Sequence, residues 1–384
     1  MVEVLVAGAG PAGSVAALVL ARAGVRVLVV DRAQFPRHKL CGDTLNPGAL
    51  AQLRRLAIAG PVEAAGVPLT GMAVTAPWGS AVEADYPRGV TGLAVSRRDL
   101  DALLLDAARR AGARVELGVR VRGALVDEGA GARRVRGVVL DAGHGPLRLP
   151  ARVTIAADGR RSTLAFGLDL ARHPPRSRRW AVGAYFEGVS GMGPRGEMHV
   201  RPGHYVGLSP LPGGVVNACV VTPRRHGFGN PLGLLLGVLA DDPRLQDRFA
   251  AARPVTEVAC VGPLAVEARS AGLPGLLLAG DAAGFVGPLT GDGLRFALHG
   301  GVLAAETALE MLEAADDLHG HLRLARRRRH AFGAKRRLNA VLRAVVSTPA
   351  VVRAGALGAA LFPGAVRALV RAAGDVRLAT EPAG

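Results

Sequence analysis

Val2-Glu3-Val4-Leu5-Val6-Ala7-Gly8-Ala9-Gly10-Pro11-Ala12-Gly13 opens the chain and decides its fold. Val2–Ala7 is a short apolar run that predicts a β-strand, and Ala12–Ala23 predicts the helix that follows. The Gly-x-Gly-x-x-Gly pattern between them permits a tight turn and lets backbone N–H groups approach a pyrophosphate at the helix N-terminus. This order of strand, glycine turn and helix predicts an α/β domain that binds a dinucleotide.

A second apolar run, Val25–Val30, ends in Asp31, which stands 23 residues after Gly8. A carboxylate at this distance can accept hydrogen bonds from both hydroxyl groups of an adenosine ribose. NAD and FAD share that ribose, so this part of the chain leaves both cofactors open.

Two further motifs favour FAD. Leu276–Asp281 is an apolar run that predicts a buried strand, and its final carboxylate can hold a ribityl hydroxyl group. The glycine-rich loop 282–294 can meet the N1/O2 edge of a flavin, where negative charge collects on reduction. Ala157-Asp158-Gly159 ends another predicted strand at mid-chain. An isolated Gly-Asp is usually a simple turn, but the three motifs together predict FAD.

The whole pattern resembles the FAD-dependent oxidoreductases that include aromatic hydroxylases, flavin halogenases and geranylgeranyl reductases. The stretch 39–50 is most similar to the geranylgeranyl reductase branch, which carries a Cys-Gly where aromatic hydroxylases usually have Arg-x-Gly-x-Leu. Gly284 agrees, because many hydroxylases have a bulkier polar residue there. The motifs and the resemblance together predict FAD contacts at Gly8, Gly10, Ala12, Gly13, Asp31, Arg32, Leu40, Cys41, Gly42, Arg97, Val121, Asp158, Asp281, Gly291, Gly293 and Leu294.

The substrate site is predicted from the stretch 202–210, which is similar to the lipid-binding motif Pro-x-x-Tyr-x-Trp-x-Phe-Pro of geranylgeranyl reductases. Tyr205 and Pro210 match that motif, whereas Gly207 and Ser209 replace its two large aromatic residues. The pattern therefore predicts a widened pocket for an isoprenoid, lipid or polyketide-like substrate. The chain lacks the Trp-x-Trp-x-Ile-Pro motif of flavin halogenases, which argues against halogenation.

Three functions follow from the resemblance. The Cys-Gly and the loop at Gly284 favour a reductase that adds hydrogen to a carbon–carbon double bond. The alternatives are a monooxygenase that hydroxylates an aromatic or polyketide substrate, and a non-catalytic flavin-binding protein. Cys41 is the candidate catalytic residue, since a thiol beside the flavin could tune it, as a thiolate by donating charge; otherwise it packs as a small apolar residue. No second dinucleotide fold is visible, so NAD(P)H is a candidate electron donor only.

Length and composition predict two interleaved domains. The 384 residues, 49% of them apolar, can bury a large core. We expect an α/β (α+β) fold in which a Rossmann-like FAD-binding domain is interleaved with a mixed-sheet substrate domain and followed by C-terminal helices. The expected ranges are 1–61, 92–171 and 260–318 for the FAD-binding domain, 62–91 and 172–259 for the substrate domain, and 319–384 for a basic helical region.

The net charge of +17 does not predict a nucleic-acid partner. Lys39 and Lys335 are the only lysines, and arginine in an Ala-, Gly- and Pro-rich chain is typical of GC-rich coding. Basic and aromatic residues are not interleaved as in a single-strand groove. Residues 319–374 hold twelve Arg or Lys and no Asp or Glu, with apolar positions such as Val341, Leu342, Val345, Val346, Val351 and Val352 between them. This segment could lie on an anionic membrane surface, but packing against the FAD-binding domain is the favoured interpretation.

The three cysteines show neither metal spacing nor a disulfide framework, so no metal site is predicted. Cys219 and Cys260 lie in apolar, strand-like runs and are expected in the core. His204 is a candidate proton donor beside Tyr205. The N-terminus lacks a basic secretory segment, and no apolar stretch reaches the ~20 residues of a spanning helix. We therefore expect a cytoplasmic protein, with peripheral membrane contact as an open alternative.

Overall fold

The computed structural model describes residues 2–76, 81–127, 133–141, 145–175, 178–223, 228–289, 291–314, 318–347, 364, 367–368, 371–372 and 374–376. Its helices are α1 (Pro11–Arg22), α2 (Pro47–Arg55), α3 (Ala59–Ala64), α4 (Arg97–Arg110), α5 (Thr163–Gly167), α6 (Pro231–Ala240), α7 (Gln246–Phe249), α8 (Gly293–Glu313) and α9 (Gly320–Ser347). Its strands are β1 (Val2–Ala7), β2 (Val27–Asp31), β3 (Thr44–Leu45), β4 (Val67–Leu69), β5 (Gly71–Thr75), β6 (Ala81–Asp85), β7 (Gly92–Ala94), β8 (Arg114–Leu117), β9 (Arg120–Asp127), β10 (Arg134–Asp141), β11 (Pro146–Ala156), β12 (Ala171–Arg172), β13 (Trp180–Glu187), β14 (Arg195–Arg201), β15 (His204–Pro210), β16 (Val216–Thr222), β17 (Arg253–Pro254), β18 (Ala259–Val261), β19 (Glu267–Ala268), β20 (Gly272–Leu273) and β21 (Leu276–Leu278).

The first large sheet is built around the N-terminal strand. Parallel strands run in the order β21-β11-β1-β2-β8, and β20 pairs antiparallel with β21 at one edge. The long β11 also forms an antiparallel meander with β9 and β10. Helices α1, α4 and α8 cover one face through a core of Val, Leu and Ala side chains. This is the expected Rossmann-like arrangement, in which parallel strands are buried on both faces.

The second large sheet uses two separate parts of the chain. Its order is β17-β13-β16-β15-β14-β5-β6, with β18 also paired to β13. Strands β5 and β6 precede α4, whereas β13 to β18 lie in the chain between β11 and β20 of the first sheet, so the chain enters this sheet twice. One face packs on α6 and α7. The opposite face is turned toward the first sheet and encloses the cavity described below.

Local sequence signals account for the main helix starts. Asn46 caps α2 by accepting a hydrogen bond from the Ala49 N–H, and Pro47 is its first residue. Ser96 caps α4 in the same way and donates to Asp99. The apolar run that leads into β2 begins at Val25. The Val25 N–H still bonds to the Leu20 carbonyl in the turn that closes α1, so the strand starts only at residue 27.

Two cysteines expected in the core have different environments. Cys219 is buried in β16, between two neighbouring strands. Cys260 is exposed, so the expectation for this residue was wrong. Its strand, β18, pairs with β13 alone and lies at the edge of the sheet, where an apolar sequence run does not guarantee burial.

The basic helix α9 packs along α8, and some of its arginine side chains contact other parts of the protein. Arg328 is buried and donates to the Ala283 carbonyl at 3.0 Å, and Arg327 pairs with Glu310. The Val341 side chain is exposed. The side chains of residues 342, 345, 346, 351 and 352 lie outside the described residues. In the part of the chain that the structure describes, no helix combines the length and apolar character needed to cross a membrane.

Candidate functional site

A cavity of about 570 Å³ lies between the two large sheets. Turns at the carboxyl ends of β1, β2, β11 and β21 form one end of it, which is the edge where parallel α/β sheets bind ligands. Mostly apolar side chains form the other end, from the second large sheet and from Leu69 of β4. The polar end includes Gly10, Asp31, Asp158 and Asp281, and the apolar end includes Leu69, Met72, Val74, Met198 and Leu208.

The glycine turn after β1 allows three backbone segments to approach closely. Gly8 has a φ of 103°, and a Cβ atom on it would lie 2.4 Å from the Ala157 carbonyl oxygen. A Cβ atom on Gly13 would lie 1.8 Å from the Gly8 oxygen. Both glycines are therefore needed for packing. Gly10 precedes α1 without a side-chain cap, which leaves the helix N-terminus suited to a phosphate group.

Asp31 is held rigidly at the end of β2. Its Oδ2 accepts from the Ala9 N–H and its Oδ1 from the Ala33 N–H, both at 2.8 Å. A carboxylate oxygen can accept more than one hydrogen bond, so both oxygens can still receive ribose hydroxyl groups. The side chain lies on the cavity wall, as that role requires.

Two more carboxylates stand at neighbouring strand ends. Asp158 accepts from the Thr163 N–H at 2.7 Å through Oδ2, while its buried Oδ1 has no hydrogen-bond partner among the described residues. Burial raises the pKa of Asp158. Asp281 lies in the 3₁₀ turn Gly280–Ala283 after β21, and the Ala279 N–H joins that strand end to β11. An orphaned carboxylate oxygen and an acidic turn on one cavity fit the hydroxyl groups of a dinucleotide.

Cys41 lies on the wall between the two ends of the cavity. Burial raises the pKa of its thiol, so the neutral thiol is the form present at neutral pH and charge donation by a thiolate is disfavoured. Arg97 is also on the wall, but its guanidinium donates to both oxygens of Asp101 at 2.8 Å. Lys39 on the same wall has its pKa lowered by burial.

Glycine leaves open space on the sheet side of the cavity. Gly207 in β15 pairs with Met198 and Cys219, and a Cβ atom on it would meet no atom closer than the Cys219 oxygen at 4.0 Å. Tyr205 is buried in the adjoining apolar cluster with Leu264. Burial lowers the pKa of the neighbouring His204, so its imidazole holds a proton weakly.

The structure brings together many of the residues predicted from the sequence, but not all. Those on the cavity wall are Gly10, Ala12, Asp31, Leu40, Cys41, Gly42, Arg97, Asp158, Gly207, Asp281, Gly291, Gly293 and Leu294. Arg32 is exposed, and Val121 is packed in the meander core. The described part of the wall does not include Gly8, Gly13, Arg32, Val121, Tyr205, Ser209 or Pro210. Thr290 of the glycine-rich loop lies outside the described residues.

Two features of the wall were missed. Gly374, near the C-terminus, lies on it, and the Gly374 carbonyl accepts from the Gly48 N–H at 3.3 Å. The next residue, Asp375, forms ion pairs with Arg295 at 2.5 Å and Lys335 at 3.2 Å. The second feature is a buried polar group behind Cys41, centred on Asp43. A lone Asn in the apolar run of β16 was the one sequence signal for it.

Comparisons with known proteins support the interpretation of this cavity as an FAD site. A family model described as an FAD binding domain matches residues 1–189. Menaquinone reductase of Mycolicibacterium smegmatis is 34% identical over 79% of this chain and 75% of its own length. Digeranylgeranylglycerophospholipid reductase 1 of Methanopyrus kandleri is 33% identical over 82% of each chain. The myxobacterial chondrochloren halogenase CndH is 21% identical, with a TM-score of 0.82 over 98% of this chain and 97% of its own, a likeness that shows the fold alone.

The chain is therefore an FAD-dependent oxidoreductase. Within that class it belongs to the branch that holds the geranylgeranyl reductases. The residues present fit FAD: the Gly10 turn for the pyrophosphate, Asp31 for the adenosine ribose and Asp281 for the ribityl chain. Among the described residues no cluster of His, Cys, Asp and Glu could hold a metal ion.

Proposed function

We propose that the protein uses FAD to reduce a carbon–carbon double bond in a hydrophobic isoprenoid, lipid or polyketide-like substrate. The observation that carries this proposal is the continuity of the cavity, which joins the three carboxylates at the strand ends to an apolar wall without a barrier between them. A relative named for menaquinone and another named for a geranylgeranylated phospholipid support a substrate of this class.

Bound FAD would supply the hydride for this reaction. The protein's own residues have three tasks: the strand ends hold the cofactor, Cys41 and Gly42 form the wall beside it, and the apolar sheet face excludes water from the reacting carbons. After hydride transfer the oxidised FAD must be reduced again by a second electron carrier, for which we propose NAD(P)H. Exclusion of water limits side reactions while the hydride is transferred to carbon.

An anaerobic single-turnover experiment tests the proposal. The flavin is reduced chemically and mixed with a geranylgeranylated lipid that carries no quinone, its absorbance is followed, and the mass of the recovered lipid is measured. Reoxidation in the absence of oxygen, with a lipid richer by two hydrogen atoms, supports a reductase. A lipid that gains an oxygen atom once oxygen is admitted supports the monooxygenase alternative, and a lipid that is unchanged under both conditions supports a non-catalytic flavoprotein.

Cys41 is proposed as the catalytic side chain on the wall. Cys41→Ser keeps a side chain of similar size but replaces the thiol with a hydroxyl group, so FAD occupancy should stay the same while single-turnover reoxidation slows. Cys260→Ser is the matched control, because Cys260 is exposed at a sheet edge. Equal rates in wild type and Cys41→Ser would leave Cys41 with a packing role only.

Peripheral membrane contact is proposed for the basic region, since it would give access to a lipid substrate. Leu318 and Leu322 at the start of α9 are exposed. Several basic groups of this helix are bound inside the protein, which limits the charge available for lipid headgroups. Cosedimentation with anionic but not neutral vesicles would support contact; no cosedimentation with either would exclude it.

A further inference from the structure

A group of polar side chains lies directly behind the Cys41–Gly42 part of the cavity wall. Its centre is Asp43, whose side chain is fully buried and whose backbone has a φ of 53°. A buried carboxyl group is rare unless it has partners, and a left-handed backbone is uncommon for a residue other than glycine. Both features indicate that the surroundings of Asp43 hold it in place.

The partners of Asp43 come from α4 and from the second large sheet. Asn217 in β16 donates through Nδ2 to Asp43 Oδ2 and to the Cys41 carbonyl, each at 2.6 Å. The Arg97 N–H at the start of α4 donates to Asp43 Oδ1 at 3.3 Å. Tyr185 in β13, the register partner of Asn217, hydrogen-bonds to the same carboxyl group. Hydrogen bonds from Asn217 therefore join the segment that carries Cys41 to the second large sheet.

We propose that Asp43 is a positioning residue of the flavin cavity: with Asn217 and Tyr185 it fixes Cys41 and Gly42 beside the cofactor, and the charge on its carboxyl group is felt at that wall. The inference requires FAD in the cavity but is independent of the reaction that follows. It assigns Asp43 no direct contact with substrate.

The charge state of Asp43 changes near neutral pH. Burial raises the pKa of Asp43 to about 7, although hydrogen bonds from Tyr185 and Asn217 and the charge of Arg97 oppose this shift. Tyr185 can accept a hydrogen bond from the protonated carboxyl group and donate one to the ionised group. The contact is thus kept in both states, while the charge behind Cys41 differs.

The groups in direct contact with the Asp43 site, which are Cys41, Cys219, Tyr185 and Arg97, keep their charge across this range. Burial raises the pKa of the Cys41 thiol and raises that of Cys219 to about 12, so both stay neutral. The pKa of Tyr185 is also raised by burial. Arg97 stays positive beside Asp101. His38, whose ring centre is 6.5 Å from that of Tyr185, is exposed and needs a control variant.

A negative charge behind the wall should make the flavin harder to reduce, because negative charge collects on the ring during reduction. The difference in midpoint potential of bound FAD between the wild type and Asp43→Asn should therefore contain a step near pH 7, because the protonation of the flavin itself contributes to both proteins alike. The free energy of unfolding should depend on the protonation of Asp43 as well. Because the pKa of Asp43 is raised in the folded state, its contribution to stability is fully present below the pKa of the unfolded chain and is lost as pH rises through the pKa of the folded protein.

Asp43→Asn in the FAD-loaded protein tests the inference without any substrate. The flavin spectrum and midpoint potential are titrated between about pH 5.5 and 8.5, with His38→Gln as the matched control. We expect Asp43→Asn to keep FAD but lose the titration step, and His38→Gln to keep both. An unchanged titration in Asp43→Asn, or its loss in His38→Gln, would overturn the assignment.

Infrared spectroscopy of the wild-type protein covers the case in which Asp43→Asn does not fold. The band of a buried protonated carboxylic acid should be present at pH 5.5, disappear as the pH is raised through about 7, and persist in Asp158→Asn, which removes the other carboxyl group of the cavity whose pKa burial raises. A protein that shows no such band at any pH would contradict the inference. Failure of every lipid to reoxidise the flavin would instead affect only the proposed reaction.

Discussion

The polar end of the cavity is the proposed cofactor end, and it is made of backbone turns and fixed carboxylates. The apolar end is the proposed substrate end, and it is made of apolar side chains and a glycine in a sheet. At the cofactor end, Gly8 and Gly13 have no space for a Cβ atom, and both oxygens of Asp31 already accept backbone N–H groups. At the substrate end, Gly207 faces open space. A change at the first end should therefore affect cofactor binding, and one at the second should affect which substrates fit.

The largest expected effect is loss of FAD from Asp31→Ala and Asp281→Ala. Each variant removes charge-assisted hydrogen bonds worth about 1.5–3 kcal/mol, which corresponds to roughly 10- to 150-fold weaker binding. The measurement is FAD per protein after dialysis, followed by titration with FAD. Asp106→Ala, which alters only an exposed pair with Arg110, should bind FAD as the wild type does. Full occupancy in Asp281→Ala would place the cofactor elsewhere.

A smaller and more selective effect is expected from Gly207→Trp. The indole would project into the cavity, since no described atom lies within 4 Å apart from the Cys219 oxygen at its limit. Turnover of a bulky substrate should fall at least about tenfold, the effect of about 1.4 kcal/mol of lost transition-state binding, while FAD occupancy stays unchanged. Gly123→Trp, at an open position of the meander, is the control. Loss of FAD in Gly207→Trp would break the division between the two ends.

The smallest effect is expected where the C-terminal turn joins the wall. Asp375→Ala removes the ion pairs with Arg295 and Lys335 that hold the turn at Gly374. The turn at Gly374 should detach, so KM should rise several-fold while FAD occupancy remains that of the wild type. Asp127→Ala, in an exposed pair with Arg136, should leave KM unchanged. An unaltered KM in Asp375→Ala would show that this turn does not shape the substrate end.

The two ends also differ in how far the sequence predicts them. The glycine turn and the caps at Asn46 and Ser96 depend on residues close together in the chain, so their geometry is readable from local patterns. The bond between Asp43 and Asn217 joins positions 174 residues apart, and it depends on how the two sheets meet. The hydrogen bond between Gly48 and Gly374 at the cavity wall joins positions that lie even further apart in the chain.

The burial of individual side chains was the other feature that the sequence did not predict. Val121 and Tyr205 were assigned to the site by resemblance, Val121 through its backbone, and these contacts stay predictions; the sequence did not show that both side chains pack in apolar clusters beside the cavity. Cys260 was expected in the core because its neighbours are apolar, and it is exposed at a sheet edge. A strand pattern shows which residues share a face, but not whether that face meets a cofactor, a core or solvent.

The central claim, that FAD at one end of the cavity reduces a hydrophobic substrate at the other, is tested most directly by the mass of the product. The reduced protein is given the lipid that reoxidises it under an atmosphere of ¹⁸O₂, and the product is examined by mass spectrometry. We expect a product richer by two hydrogen atoms that contains no ¹⁸O. A product that carries ¹⁸O and no added pair of hydrogens would contradict the claim and establish the monooxygenase reaction.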